Sequence, residues 1–410
     1  MQPDPPVSQI AAPPARPKWR LLPVLLAPLA GSRSVLCRVM QRGLDAVDAR
    51  TAALGWPTAG QIMDRHGGTG PGFDALRFYL SVAIVIYHAK QVVVGREAAD
   101  YQASVLFPYL LALVPIFFCL SGFLVTGSAI RTPSIRQFLT NRSLRIFPAL
   151  TVEVALSALI LGPWLTSVAW QDYFENKKLF SYFGNIVGRV RMSLPGVFDN
   201  NPIPDTVNAS LWTLQPEFHC YLIMTALMLS TIVYRRGLAT ILYGTLTLAL
   251  SILNWRTDLG HPGDVFPGHV IVYYFATGII AYHWVRSIPI HGGLFILAAI
   301  LAYCMIDVPG LMYLASLPVA YCTIYVGLSP FRLVYPFNTG DYSYGIYLFN
   351  FPIQQTVVYF FPNVKDWWLL LLISLPLTIL FAACSWRWIE KPALRLKRHV
   401  NKLSSRSRKP

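Results

Sequence analysis

FDALRFYLSVAIVIYHAKQVVV, residues 73–94, decides how the chain is read. Roughly twenty mostly apolar residues suffice for a helix to cross the hydrocarbon core of a bilayer, and this stretch meets that length. It also carries Arg77 near one end and His88 deep inside. Eleven helical residues turn the chain by about 1,100°, three turns plus roughly 20°, and rise about 16 Å. The two side chains therefore share one face at different depths. Ionisable groups inside a membrane face a partner or a cavity, so the shared face marks a candidate site. The blander alternative has Arg77 reaching the headgroups and His88 satisfying a neighbouring helix. It fits less well because the two groups do not scatter around the helix.

Composition agrees with that start. The 410 residues are 54% hydrophobic and only 13% charged, against about 25% charged in soluble domains. With many long apolar runs, this predicts an all-α, polytopic membrane bundle. A formal net charge of +15 raises the question of nucleic acid. The basic residues, however, cluster in the two tails and in short connections, as topology signals and anionic-lipid contacts do. The expected partners are therefore membrane lipids and no nucleic acid. Six cysteines lie scattered without a CxxC or paired spacing, which supports neither a disulfide framework nor a metal site.

Ten spans are expected, near 73–94, 105–130, 146–165, 210–233, 238–254, 268–285, 291–306, 311–328, 339–361 and 366–388. Ten crossings put the loop from Arg131 to Arg145, Arg235-Arg236, Arg286, Arg332 and the final LRLKRHVNKLSSRSRK on one side. The positive-inside rule then places both termini in the cytoplasm. Residues 1–70, Pro-rich and basic, read as a separate and largely disordered tail, with Arg38 to Arg50 as a candidate surface helix and Met63 as an alternative start. Residues 71–392 form the membrane domain and 393–410 a basic cytoplasmic tail. No internal repeat is apparent, which weakens an inverted-repeat transporter.

Several polar groups fall within the spans. Glu217 in SLWTLQPEFHCY comes out at a depth similar to His88, and a carboxylate that orients an imidazole is a standard general-base arrangement. Its alternative is a structural hydrogen bond to backbone released by Pro216; the nearby His219 reads as structural. Arg142 and Arg145 in NRSLRIFP lie three apart, a spacing suited to phosphate through forked hydrogen bonds, or to a plain topology signal. Ser121-Gly122 permits close approach of a helix or of a ligand to backbone. Tyr344, Tyr347 and Asn350 form a polar stripe along GDYSYGIYLFNFP, lining a cavity or joining helices. WRWIEKP, residues 386–392, reads as an interfacial anchor.

Taken together, these stretches resemble a known family. ALRFYLSVAIVIYH, FFCLSGFL followed by FLTNRSLRIFPAL, SLWTLQPEFHCYLI and DYSYGIYLFNFP are similar, in order, to the motif blocks of the acyltransferase-3 family of integral membrane O-acyltransferases. The resemblance implies transfer of an acyl group, usually acetyl, from cytoplasmic acyl-CoA to a hydroxyl of a surface glycan or glycolipid, in a bacterial inner membrane. It implies acetyl-CoA or another acyl-CoA as donor and no metal. Arg77 and His88 become the essential pair and Glu217 a further catalytic candidate. Arg142, Arg145 and Ser121 fall to the donor, and Tyr344, Tyr347 and Asn350 to the substrate lining. His88 acts either as base on the acceptor hydroxyl or through an acylated state, with Arg77 holding donor or stabilising negative charge. One departure stands out: Asn350 occupies a place where the family commonly has histidine. The stand-alone form, without a C-terminal esterase-like domain, is expected, and homo-oligomerisation is left open. The rivals are a transporter or flippase for a glycan or lipid-linked substrate, and a non-catalytic scaffold.

Overall fold

A computed structural model describes residues 35–95, 104–132, 134–257 and 265–396, with side chains from 43 onward apart from Ala52. The chain divides into two compact units, Met1–Val47 and Asp48–Pro410. Among its described residues the first unit contributes only the start of a helix, α1, Val35–Ala53. Residues 1–34 of the expected N-terminal tail and 397–410 of the expected C-terminal tail lie outside the described residues.

The second unit is all-helical among its described residues, and ten of its helices fall on the ten apolar segments read from the sequence. They are α3 (Phe73–Val94), α4 (Phe107–Arg131), α5 (Ile135–Leu156), α9 (Leu214–Leu229), α10 (Arg236–Thr257), α11 (Gly268–His283), α12 (Gly292–Met305), α13 (Met312–Leu328), α14 (Ser343–Phe360) and α15 (Trp367–Ser385). Short helices complete it: α2 (Ala59–Arg65), α6 (Gly162–Leu165), α7 (Trp170–Glu175) and α8 (Lys177–Tyr182). Five helical segments, beginning at Phe73, Phe107, Ile135, Arg236 and Trp367, are long and apolar enough to cross a membrane; α12 and α13 are shorter apolar helices. Prolines 115, 148, 318, 352 and 376 lie inside helices, as membrane helices tolerate when neighbours satisfy the released backbone.

Residues 57–70, grouped with the tail by composition, are instead fastened to the bundle. Thr58 and Gln61 close a capping box at the start of α2. The Ala59 and Gly60 amides donate to the carbonyls of Ile288 and Val285, and Gly72 N–H donates to Gly327 O. Ala59 and Met63 are buried. Two apolar anchors and one cap suffice here, a signal too short for a composition window to register.

The centre of the bundle is set by small residues. A Cβ added at Gly122 of α4 would collide with the Phe275 carbonyl oxygen, and one at Gly278 of α11 with the Cys119 carbonyl oxygen. Backbone therefore meets backbone along this seam, as small residues permit between membrane helices. Overpacking a tight core costs about 1–3 kcal/mol, and a backbone obstacle cannot rotate aside. Gly278→Val is therefore expected to remove most folded protein from detergent-solubilised membranes, read by size-exclusion profile. Gly244→Ala is the control, since a Cβ there meets nothing within 4 Å.

Candidate active site

A cavity of about 370 Å³ lies among α3, α4, α5, α9 and α14, within the roughly 300–1,000 Å³ range of small-ligand pockets. Arg77, Ser121, Arg142, Arg145, Glu217, Tyr344 and Tyr347 all line it. Five elements far apart in sequence thus bring most of the sequence-derived candidates to one space. His88 and Asn350 do not line it.

The arginines in this cavity do different work. Three residues along a helix turn about 300°, so Arg142 and Arg145 point roughly 60° apart and meet different neighbours. Arg145 donates from Nη2 to Asp341 Oδ2 at 2.8 Å and from Nη1 to Glu390 Oε2 at 2.7 Å. Its guanidinium also sits 5.3 Å from the centre of the Tyr344 ring. Arg77 donates to the same Asp341 oxygen at 3.0 Å and to Asp74 at 3.0 Å. Asp341 is thereby a bridge between α3 and α5, and Ser343 donates to its other oxygen at 2.6 Å. Arg142 makes no ion pair among the described residues, and its Nε is buried without a hydrogen-bond partner. Of the cavity's three arginines it is the one without an ion pair among the described residues.

Glu217 accepts from Tyr221 Oη at 2.7 Å and shares the cavity with Arg142. The expected pairing of Glu217 with His88 is replaced by another: His88 Nδ1 lies 2.9 Å from Asn350 Oδ1. Equal depth places two residues at one height but says nothing of their azimuth, and α3 packs on α14. His88 is 6% exposed and Asn350 fully buried, with the Phe351 ring edge-on to the imidazole at 5.2 Å.

The asparagine dictates the histidine's tautomer. Asn350 Nδ2 lies 2.6 Å from Tyr347 O and 3.1 Å from Ile346 O, and both of these atoms only accept. The amide nitrogen must be on that side, so Oδ1 faces His88 as an acceptor. His88 Nδ1 therefore carries the proton, which leaves Nε2 as the basic nitrogen of the neutral ring. A second, smaller cavity of about 30 Å³ forms around His88, Tyr87, Trp212 and Tyr347. Tyr347 is held there by Thr213, with 2.8 Å between the two hydroxyls.

Three residues of the site escaped the sequence reading. Asp341 sat in the aromatic stripe without a role. Glu390, read as part of an interfacial anchor, is 1% exposed and is presented to Arg145 by a π turn, Trp386–Glu390; such turns recur at functional sites. Glu153 on α5 is also buried and accepts from Ser157 Oγ at 3.0 Å and Asn208 Nδ2 at 2.7 Å. Asn208 in turn donates to Leu348 O and caps the turn Ala209–Thr213. Glu153 and Asn208 thus tie that turn to α14 beside Tyr347 and Asn350. The only signal was an isolated acid in an apolar run.

A family model described as an acyltransferase domain matches residues 71–387. Among curated proteins, an O-acetyl transferase of Shigella phage Sf6 is 28% identical over 345 residues, 78% of this chain and 94% of its own. Nodulation protein 10 of Rhizobium leguminosarum bv. viciae is 28% identical over 370 residues, 82% of this chain and 97% of its own. The peptidoglycan O-acetyltransferase OatA of Listeria monocytogenes is 24% identical over 378 residues, 78% of this chain and 55% of its own. No solved structure matches.

Proposed function

The chain belongs to the acyltransferase-3 family of membrane acyltransferases, and from that premise we propose that it moves an acetyl group from acyl-CoA to a hydroxyl of a surface glycan or glycolipid. The observation that carries the reading is a histidine of fixed tautomer set one chamber away from an arginine-lined cavity. Acyl-CoA enters from the cytoplasmic side of a bacterial inner membrane, where the basic loops lie. Its phosphates meet Arg142, and the pantetheine arm runs past Ser121 and Tyr344 toward His88. Arg145 and Arg77, already paired to carboxylates, hold the cavity's shape around it.

His88 Nε2 then takes the proton of the acceptor hydroxyl. The hydroxyl oxygen forms a bond to the thioester carbonyl carbon, the C–S bond breaks, and CoA leaves as a thiolate that collects the proton from the imidazolium. The Asn350 carbonyl holds Nδ1–H throughout, so the ring gains and loses its proton at one nitrogen. A neutral amide stabilises the imidazolium less than a carboxylate does, which suits a base that must give the proton back. Glu217, hydrogen-bonded to Tyr221, faces the donor and not the base.

The test is acceptor-dependent release of CoA thiol. Membranes holding the protein, given acetyl-CoA and a purified cell-surface polysaccharide or its lipid-linked precursor, are expected to liberate thiol and to label the glycan. Equal thiol release with and without the protein, at verified abundance and across such acceptors, would overturn the reading.

A further inference from the structure

Two chambers meet at a wall made by two side chains. Among the described residues, Val114 and Tyr347 line both the arginine-bearing cavity and the small cavity at His88. We propose that this wall sets the length of the acyl group transferred, restricting the enzyme to acetyl. The inference rests on the donor reading given above and adds what limits that donor.

The His88 chamber measures about 30 Å³, less than a tenth of the arginine-bearing cavity's roughly 370 Å³. Among the described residues its lining, apart from His88, Trp212 and the two tyrosines, is apolar and includes Ile84, Leu111 and Pro115. Apolar walls around a histidine suit the methyl end of an acyl group better than the hydroxyl-rich ring of a sugar. A thioester arriving from the larger cavity reaches His88 only past Val114 and Tyr347, and whatever extends beyond its carbonyl must fit this small space.

The two wall residues differ in what fixes them. Tyr347 is anchored by the Thr213 hydroxyl and packs edge-to-face on Phe117, ring centres 6.2 Å apart. Its position is determined by α14 and the Ala209–Thr213 turn together. Val114 precedes Pro115 inside α4, where the proline removes one helical hydrogen bond to Leu111. Leu111, Val114 and Pro115 all line the His88 chamber, so the wall lies where α4 lacks that bond. Val114 has no polar side-chain atom, so a change in its size alters the wall without breaking a hydrogen bond. One methylene more or less in an apolar pocket changes discrimination by about 10- to 200-fold.

The experiment compares acetyl-, propionyl- and butyryl-CoA as donors to one glycan acceptor, using membranes of wild type, Val114→Ala and Val114→Ile. The readout is each preparation's propionyl-to-acetyl and butyryl-to-acetyl ratio of kcat/KM, which does not depend on protein abundance. Wild type is expected to favour acetyl over butyryl by at least about tenfold. Val114→Ala raises the propionyl ratio by about tenfold or more, and Val114→Ile lowers it, each by the discrimination of a single methylene. The opposed directions mean that either variant alone suffices if the other fails to accumulate. Wild-type transfer with unaltered ratios in the variants overturns this proposal alone, as does a wild type that uses butyryl as well as acetyl. Wild-type membranes that transfer no acyl group from any of the three thioesters overturn the donor reading and this proposal with it.

Discussion

Replacing His88 by alanine is expected to reduce acyl transfer by about 100- to 10,000-fold, the usual contribution of a general base, while the protein still accumulates in the membrane. His88 sits at the meeting of α3 and α14, and its imidazole meets the Asn350 amide oxygen and the Phe351 and Tyr87 rings. Removing the ring leaves a cavity but no buried charge. Glutamine is the informative replacement. Its amide can donate to Asn350 Oδ1 as Nδ1–H does, so a purely structural histidine would be rescued in large part. A base would not, because an amide cannot cycle a proton near neutral pH. Transfer by His88→Gln within a few-fold of wild type, at matched abundance, would remove His88 from the chemistry.

The apolar helices of this fold were legible as apolar runs, whereas the short helices α2, α6, α7 and α8 were not. The face shared by Arg77 and His88 was legible too, since both lie on one continuous helix whose pitch is known. What hydropathy cannot supply is azimuth between helices. Glu217 and Asn350 both suit the depth of His88; only the packing of α3 against α14 selects the asparagine. The same blindness hid Glu390, 245 residues from its partner Arg145. A tryptophan-flanked acid at the end of an apolar run looks like an interfacial anchor until the opposing arginine is seen. The three-residue spacing of Arg142 and Arg145 suggests a pair with one task, and a sequence does not show which of them meets carboxylates. The roughly 60° between them separates a cation paired with two carboxylates from one without an ion pair among the described residues.

That separation gives the second large effect. Arg145→Ala is expected to destabilise the protein, because it leaves Glu390, 1% exposed, without its cation and Asp341 with Arg77 alone. Removing one partner of a buried ion pair costs about 3–5 kcal/mol, a large fraction of the stability of a typical fold. The signature is loss of monodisperse protein and a lowered melting temperature in detergent. Adding Glu390→Gln to Arg145→Ala should recover part of that loss, since one stranded charge is then gone. Arg142→Ala should behave in the opposite way. With no ion pair to strand, abundance and melting stay near wild type, while the acyl-CoA concentration for half-maximal transfer rises by about ten- to a hundredfold, the value of a charged hydrogen bond of about 1.5–3 kcal/mol. Arg142→Lys should restore only part of it, because an ammonium cannot reproduce the guanidinium fork. If Arg145→Ala proves as stable as wild type and shifts only donor dependence, the two arginines form one phosphate clamp after all. The division of labour drawn from their partners would then be wrong.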